Sequence, residues 1–207
     1  MIARADPDRS SATPTPSLAD ALRCRARDGA MSEFPPGFFD RSDASDDASF
    51  YSWPRLVTHI DAGAIAAVGA LYEELALDGD VLDLMSSWVS HFRSAPARLT
   101  VLGMNATELE QNAQASARVV HDLNATPELP YADCTFDAAV NAVSIQYLTR
   151  PIEVYASVRR VLKPGGLAVV ATSHRCFPTK AVMAWPSAPP SPRRSPAPAP
   201  ATRSPPS

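Results

Sequence analysis

Apolar and polar positions alternate along the middle of the chain in a way that predicts strands and helices in turn. Val81-Leu82-Asp83-Leu84 is a short apolar run with one acid, and it ends in the small polar residues Ser86 and Ser87. A buried strand with a carboxylate near its carboxyl end, then a tight turn into a helix, is the opening βα unit of a nucleotide-type α/β fold. Further strands are predicted at Leu99–Gly103, Arg118–His121, Phe136–Ala142 and Leu167–Thr172. Helices are predicted at Ser87–Arg93, Ala106–Ala113 and Pro151–Leu162. The last is the clearest. Pro151 opens it, Val154, Val158, Val161 and Leu162 share one face, and Lys163 ends it before Pro164-Gly165-Gly166. Ahead of the first strand, Ile65, Val68, Tyr72 and Leu75 recur at helical spacing, so Ala62–Ala76 is expected to be helical with Asp61 as its N-cap. Alternating strands and helices imply an α/β, Rossmann-like, doubly wound sheet of about five mostly parallel strands with right-handed crossovers.

The flanks differ. Residues 1–49 are rich in Ser, Asp, Pro and Ala and are expected to be disordered, whereas 186–207 is a proline-rich, disordered tail. That leaves 50–185 as the domain. Arg23, Arg25 and Arg27 hint at an import segment, but Asp6, Asp8, Asp20 and Asp28 argue against one. The three cysteines, Cys24, Cys134 and Cys176, are scattered and suggest neither a disulfide framework nor a metal site, so a reducing, cytoplasmic setting is expected. A net charge of −3 gives no bulk attraction to nucleic acid or membrane surfaces.

Candidate chemistry collects at the predicted strand ends. Asp83 ends the first strand, Asn105 follows the second, Asp122 follows the third and Asn141 lies near the end of the fourth. A doubly wound sheet carries such positions to one rim, where ligands bind. Asn105 stands where a ribose diol is commonly gripped, and Asp122 with Leu123 suits an exocyclic amine and the ring beside it.

The runs Asp122-Leu123, Leu129-Pro130-Tyr131 and Phe136-Asp137, followed by Arg160-Val161-Leu162-Lys163-Pro164-Gly165-Gly166, resemble the class I S-adenosylmethionine-dependent methyltransferases with a type-11 domain. The resemblance covers Val81 to Thr172. It implies S-adenosyl-L-methionine as cofactor and a small-molecule acceptor. It also implies that Asp83 lies near the methionine end, Asn105 at the ribose and Asp122 at the adenine amine. The Lys163–Gly166 stretch is then a structural turn.

The chain departs from that family at three points. The family's glycine-rich loop D-x-G-x-G-x-G is here Asp83-Leu84-Met85-Ser86-Ser87-Trp88-Val89, without glycine. Met85, Ser86 and Ser87 would therefore form the loop against the cofactor. Asparagine replaces the ribose-binding acid at position 105. Little sequence follows Thr172 before the proline-rich tail, so the family's last two strands are expected to be missing, and a protein partner is expected to cover the exposed sheet edge. Ser173–Lys180 is expected to line the substrate side, with a helical turn at Lys180–Trp185.

Methyl transfer is an in-line displacement that depends mainly on holding two reactants in line. His174, Tyr147 and Asp137 are candidate bases, Gln146 and Tyr147 candidate lining residues, and His59 a surface or packing residue. The alternative function is a catalytically inactive methyltransferase-like binding module.

Overall fold

The computed structural model describes residues 34–185. Of the segments expected to be disordered, 1–49 and 186–207, residues 1–33 and 186–207 lie outside the described residues.

In chain order the elements are α1 (Asp47–Phe50), α2 (Ala62–Glu74), β1 (Asp80–Leu84), β2 (Arg98–Gly103), α3 (Ala106–Glu110), β3 (Ala117–Val120), β4 (Phe136–Ala142), α4 (Pro151–Val161) and β5 (Leu162–Ala171), with a 3-10 turn at Ile145–Tyr147. The strands form one five-stranded sheet in the order β3-β2-β1-β4-β5, and every pairing is parallel. The order reverses beside β1, so the loops after β1 and β4 diverge and leave a crevice between them. This is the doubly wound, Rossmann-like architecture expected from the pattern.

Side chains alternate across the sheet and build two cores. Leu82, Leu84 and Leu102 face α4 and pack on Val154, Val158 and Val161. Val81, Leu99, Val101, Ala138 and Val140 face the other way, onto Val68 and Tyr72 of α2. The period of two along each strand makes both faces apolar, as a sheet covered on both sides requires. Asp61 caps α2 as expected, accepting from the Ala64 N–H at 2.8 Å.

The Arg160–Gly166 motif has a structural explanation. The Arg160 guanidinium donates to the Leu129 and Tyr131 carbonyls, both at 2.7 Å, and pins the Leu129-Pro130-Tyr131 loop to α4. Lys163–Gly166 then bulges out of the β4–β5 register, which jumps from Phe136↔Leu162 to Ala138↔Leu167. Gly165 takes the turn at φ +83°, a region that favours glycine.

The structure corrects four expectations. No helix forms at Ser87–Arg93. This stretch runs irregularly against α2, so close that a Cβ on Gly69 would meet the His91 carbonyl at 3.0 Å. Its carbonyls are satisfied by side-chain amides in place of helical N–H groups: Asn112 donates to Ser87 O at 3.1 Å and Gln114 to Phe92 O at 2.8 Å. Helix α3 is shorter than expected, stopping at Glu110 rather than Ala113. Folded structure begins ahead of residue 50, because residues 40–47 pack against 179–183. Asp43 N donates to Thr179 O at 2.9 Å, Met183 N donates to Asp40 O at 2.7 Å, and Arg41 forms a bridge with Val182. Lys180–Trp185, expected to hold a helical turn, carries that bridge and then a single hydrogen-bonded turn, with Trp185 N donating to Val182 O at 2.9 Å. The cysteines also differ from expectation, for Cys134 is disulfide-bonded while Cys176 is free.

Candidate functional site

The crevice at the carboxyl ends of β1, β2 and β4 opens into a cleft of about 440 Å³, within the range of small-molecule sites. Two chain segments roof it. The first, around Tyr51–His59, comes from the N-terminal side. The second, Arg175-Cys176-Phe177, follows β5. A buried ionic cluster clamps them together. Lys180 is completely buried, donates to Ser45 O at 2.7 Å and lies 3.2 Å from Asp47. Asp47 also takes Arg41 at 2.8 Å and Asn124 at 2.8 Å. Burial pushes the Asp47 carboxyl up, but these donors outweigh it and hold the group below the usual carboxylate range.

Of the residues expected at the site, Asp83, Met85, Ser86, Ser87, Asn105, Asp122 and Leu123 all line this cleft. Asp83 is 4% exposed and accepts from Ser86 Oγ at 2.7 Å. Burial drives its pKa up to about 6, and hydrogen bonds from Ser86 and Ser90 only partly offset that. Asp122 Oδ1 accepts from the Asn124 and Ala125 N–H groups at 2.8 and 3.2 Å. That turn orients the carboxylate and leaves Oδ2 without a partner among the described residues. Leu123 is buried in the α4-side core directly beside it.

Asn105 is brought to the cleft but is tied to the protein. Its Oδ1 caps α3 through the Glu108 N–H at 3.1 Å, and its amide donates to Tyr51 O at 2.9 Å and Ser52 O at 3.3 Å. The carboxylate nearest this point is Glu108, one helical turn on, which the sequence reading missed. Ser87 Oγ donates to it at 2.5 Å and the Arg55 N–H at 2.7 Å. Asn141 is the residue that does not reach the cleft. It is buried below, accepting from Ser144 Oγ at 2.8 Å and donating to Met85 Sδ at 3.7 Å.

The glycine-free loop meets the geometric demand at a conformational cost. Met85, in the position of the family's first glycine, has φ +53°. His91 at +60° and Val143 at +52° also border the cleft in the left-handed region. Such backbone in non-glycine residues costs roughly 1–2 kcal/mol each. Gly103 supplies the close approach instead: a Cβ there would lie 2.2 Å from Ser86 O.

The candidate bases separate. Asp137 sits at the far end of β4, bonded to Lys163 at 2.9 Å and to the Asp80 N–H at 2.8 Å, away from the cleft. His174 is exposed and does not line it. Gln146 is buried and donates to Val143 O at 2.8 Å, also outside it. Tyr147 does line the cleft, and its hydroxyl accepts from the Phe177 N–H at 2.9 Å. His59, expected to be a surface or packing residue, is exposed and packs its ring 5.4 Å from that of Phe177, at the cleft wall. Arg55 and Arg175 line the same end. Nothing in the local sequence around 55, 59 or 175 signals a site, because these residues meet only when the two roof segments dock.

Residues 81–170 match the family of methyltransferase domains. Solved structures with a similar fold include three methyltransferases. An S-adenosylmethionine-dependent enzyme from Mesorhizobium loti is 21% identical, with a TM-score of 0.43, and the match covers 53% of this chain and 54% of that one. A putative methyltransferase from Bacillus halodurans is 18% identical, with a TM-score of 0.42 and 50% of each chain covered. A geranyl diphosphate C-methyltransferase from Streptomyces coelicolor, solved with S-adenosyl-L-homocysteine, is 18% identical, with a TM-score of 0.40, covering 50% of this chain and 42% of that one. The chain thus spans about half the length of these proteins. No curated protein matches it.

Proposed function

We infer that the cleft binds S-adenosylmethionine and that the chain methylates a small molecule, a reading supported by the match of residues 81–170 to the family of methyltransferase domains. One observation carries this reading: Asp83, Glu108 and Asp122 lie along a single cleft at the carboxyl edge of the sheet. Their chemistry fits the cofactor's three polar parts. Asp83, buried and acidic, suits the ammonium of the methionine moiety. Asp122, with one oxygen lacking a partner and Leu123 beside it, suits the adenine amine and ring. Asn105 is already bonded on both sides, so the ribose diol falls to Glu108, whose two oxygens each retain acceptor capacity.

The cofactor supplies a methyl group on a sulfonium, already bonded to a good leaving group. The protein's task is therefore to orient and to exclude water. The roof segments close over the cleft, with Phe177 and Tyr147 as apolar walls. No protein nucleophile is required. Where the acceptor must lose a proton, His59 on the cleft wall is a suitable group, since partial desolvation holds its imidazole below the usual range.

A second reading, an inactive binding module, draws on the strained φ of Met85 and the pinned Asn105. Calorimetric titration with S-adenosylmethionine separates the two. Binding is expected, with Asp83→Ala and Asp122→Ala each weakening it by about 1–3 kcal/mol. Absence of heat and of any thermal shift at millimolar ligand would exclude the enzyme.

A further inference from the structure

The cleft is chemically two-sided. Asp83 and Asp122 lie on the side proposed for the cofactor, and Glu108 stands between the two ends, accepting from the Arg55 backbone N–H at 2.7 Å. The other end, under the roof, carries Arg55, His59 and Arg175. The Arg55 guanidinium is held in place by rings, 4.7 Å from the centroid of Phe50, 5.7 Å from Phe177 and 6.0 Å from Tyr51. One of its N–H groups donates to Phe50 O at 2.9 Å. Among the described residues, no carboxylate pairs with it or with Arg175.

Most other described arginines are paired, although Arg118 donates only to the Leu109 and Asn112 carbonyls. Arg41, Arg93, Arg98, Arg150 and Arg160 each hold a carboxylate, and the buried Lys180 holds two. Of the acids near this end, Asp47 is neutralised by Arg41 and Lys180, and Glu108 takes the Arg55 backbone N–H and the Ser87 hydroxyl rather than either guanidinium. Glu108 and both cleft arginines act electrostatically on the His59 ring, so these groups share one space. A guanidinium fixed over an aromatic ring, with donors left over, is a prepared receptor for an oxyanion, because little rotamer freedom remains to be lost on binding.

We propose that this end of the cleft binds the anionic group of the methyl acceptor, a small molecule bearing a carboxylate or a phosphate ester, with Arg55 and Arg175 as its receptors. Phe177 and Tyr147 flank the space and suit a planar body attached to that anion. The inference deepens the methyltransferase reading and rests on it for the word acceptor, but the anion site itself does not depend on the cofactor.

The test is calorimetry on the full chain with benzoate, phenyl phosphate and neutral benzamide, each with and without saturating S-adenosyl-L-homocysteine. At least one anion should bind about tenfold or more tighter than benzamide, the scale of a charge-assisted hydrogen bond. The preferred anion then identifies carboxylate or phosphate. Arg175→Gln alters an exposed side chain and is expected to leave the fold intact. It should weaken the anion about tenfold while leaving the affinity for S-adenosyl-L-homocysteine unchanged. Arg55→Gln should do the same, with thermal unfolding as its folding control. Equal binding of benzamide, no binding of either anion, or an unaltered anion affinity in Arg175→Gln overturns the proposal. Absence of heat with S-adenosyl-L-homocysteine would overturn only the cofactor reading, because anion binding by the chain alone remains measurable.

Discussion

Asp83 and Asp47 are both almost fully buried acids, yet their surroundings act in opposite directions. Asp47 receives two cations and an amide and stays ionised. Asp83 receives only hydroxyl donors, so burial dominates and its pKa rises from 3.8 to about 6. Between those two values the folded protein holds a proton that the unfolded chain has released, so this group's contribution to stability falls as pH rises. At neutral pH the cost amounts to about 3 kcal/mol. Asp83→Asn should therefore gain stability over the wild type as pH goes from 4 to 7, approaching that figure in urea unfolding. A difference that stays flat with pH would contradict the assignment. A buried carboxylate kept at such cost fits a ligand that supplies the missing cation. Affinity for S-adenosylmethionine should thus rise through pH 6 in the wild type and lose that dependence in the variant.

Among the elements, the segment after β1 was misread because its apolar residues, Trp88, Val89 and Phe92, permit a helix. Local propensity could not register Gly69 on α2, which lets the loop lie flat, or Asn112 and Gln114, whose amides take over the loop's carbonyls. The roof escaped the sequence reading for a similar reason. Its parts lie some 130 residues apart, and neither has a periodic apolar face. What joins them is a completely buried lysine between acids. Lys180→Met should leave Asp43 and Asp47 short of a partner and destabilise the protein by about 3 kcal/mol in urea unfolding. A loss below about 1 kcal/mol would mean that Arg41 alone suffices to hold Asp47.

For the whole molecule the sheet edge matters most. β5 pairs only with β4, and its Leu167 and Val170 are 42% and 38% exposed. An open apolar edge invites pairing with another chain, which is where the expected covering partner would act. Val170→Lys should reduce self-association on concentration, followed by light scattering, while changing the melting temperature little. Unchanged scattering would show that this edge is not the sticky surface. Among the described residues, no helix is long and apolar enough to cross a membrane.

The sequence by itself determined the order of the strands, the parallel sheet and the gathering of Asp83, Asp122 and Leu123 at one rim. Those depend on short-range facts: period-two apolar runs, caps and turns, and acids that follow strand ends by chain connectivity alone. Only the tertiary structure decided what each group does there. It tied Asn105 to the backbone at Tyr51, turned Asn141 inward beneath the cleft, brought Glu108 forward, and joined Arg55, His59 and Arg175 at the opposite end. Hydrogen-bond partners and unpaired charge are properties of neighbours in space, and folding sets those neighbours through contacts too distant along the chain for any local pattern to encode.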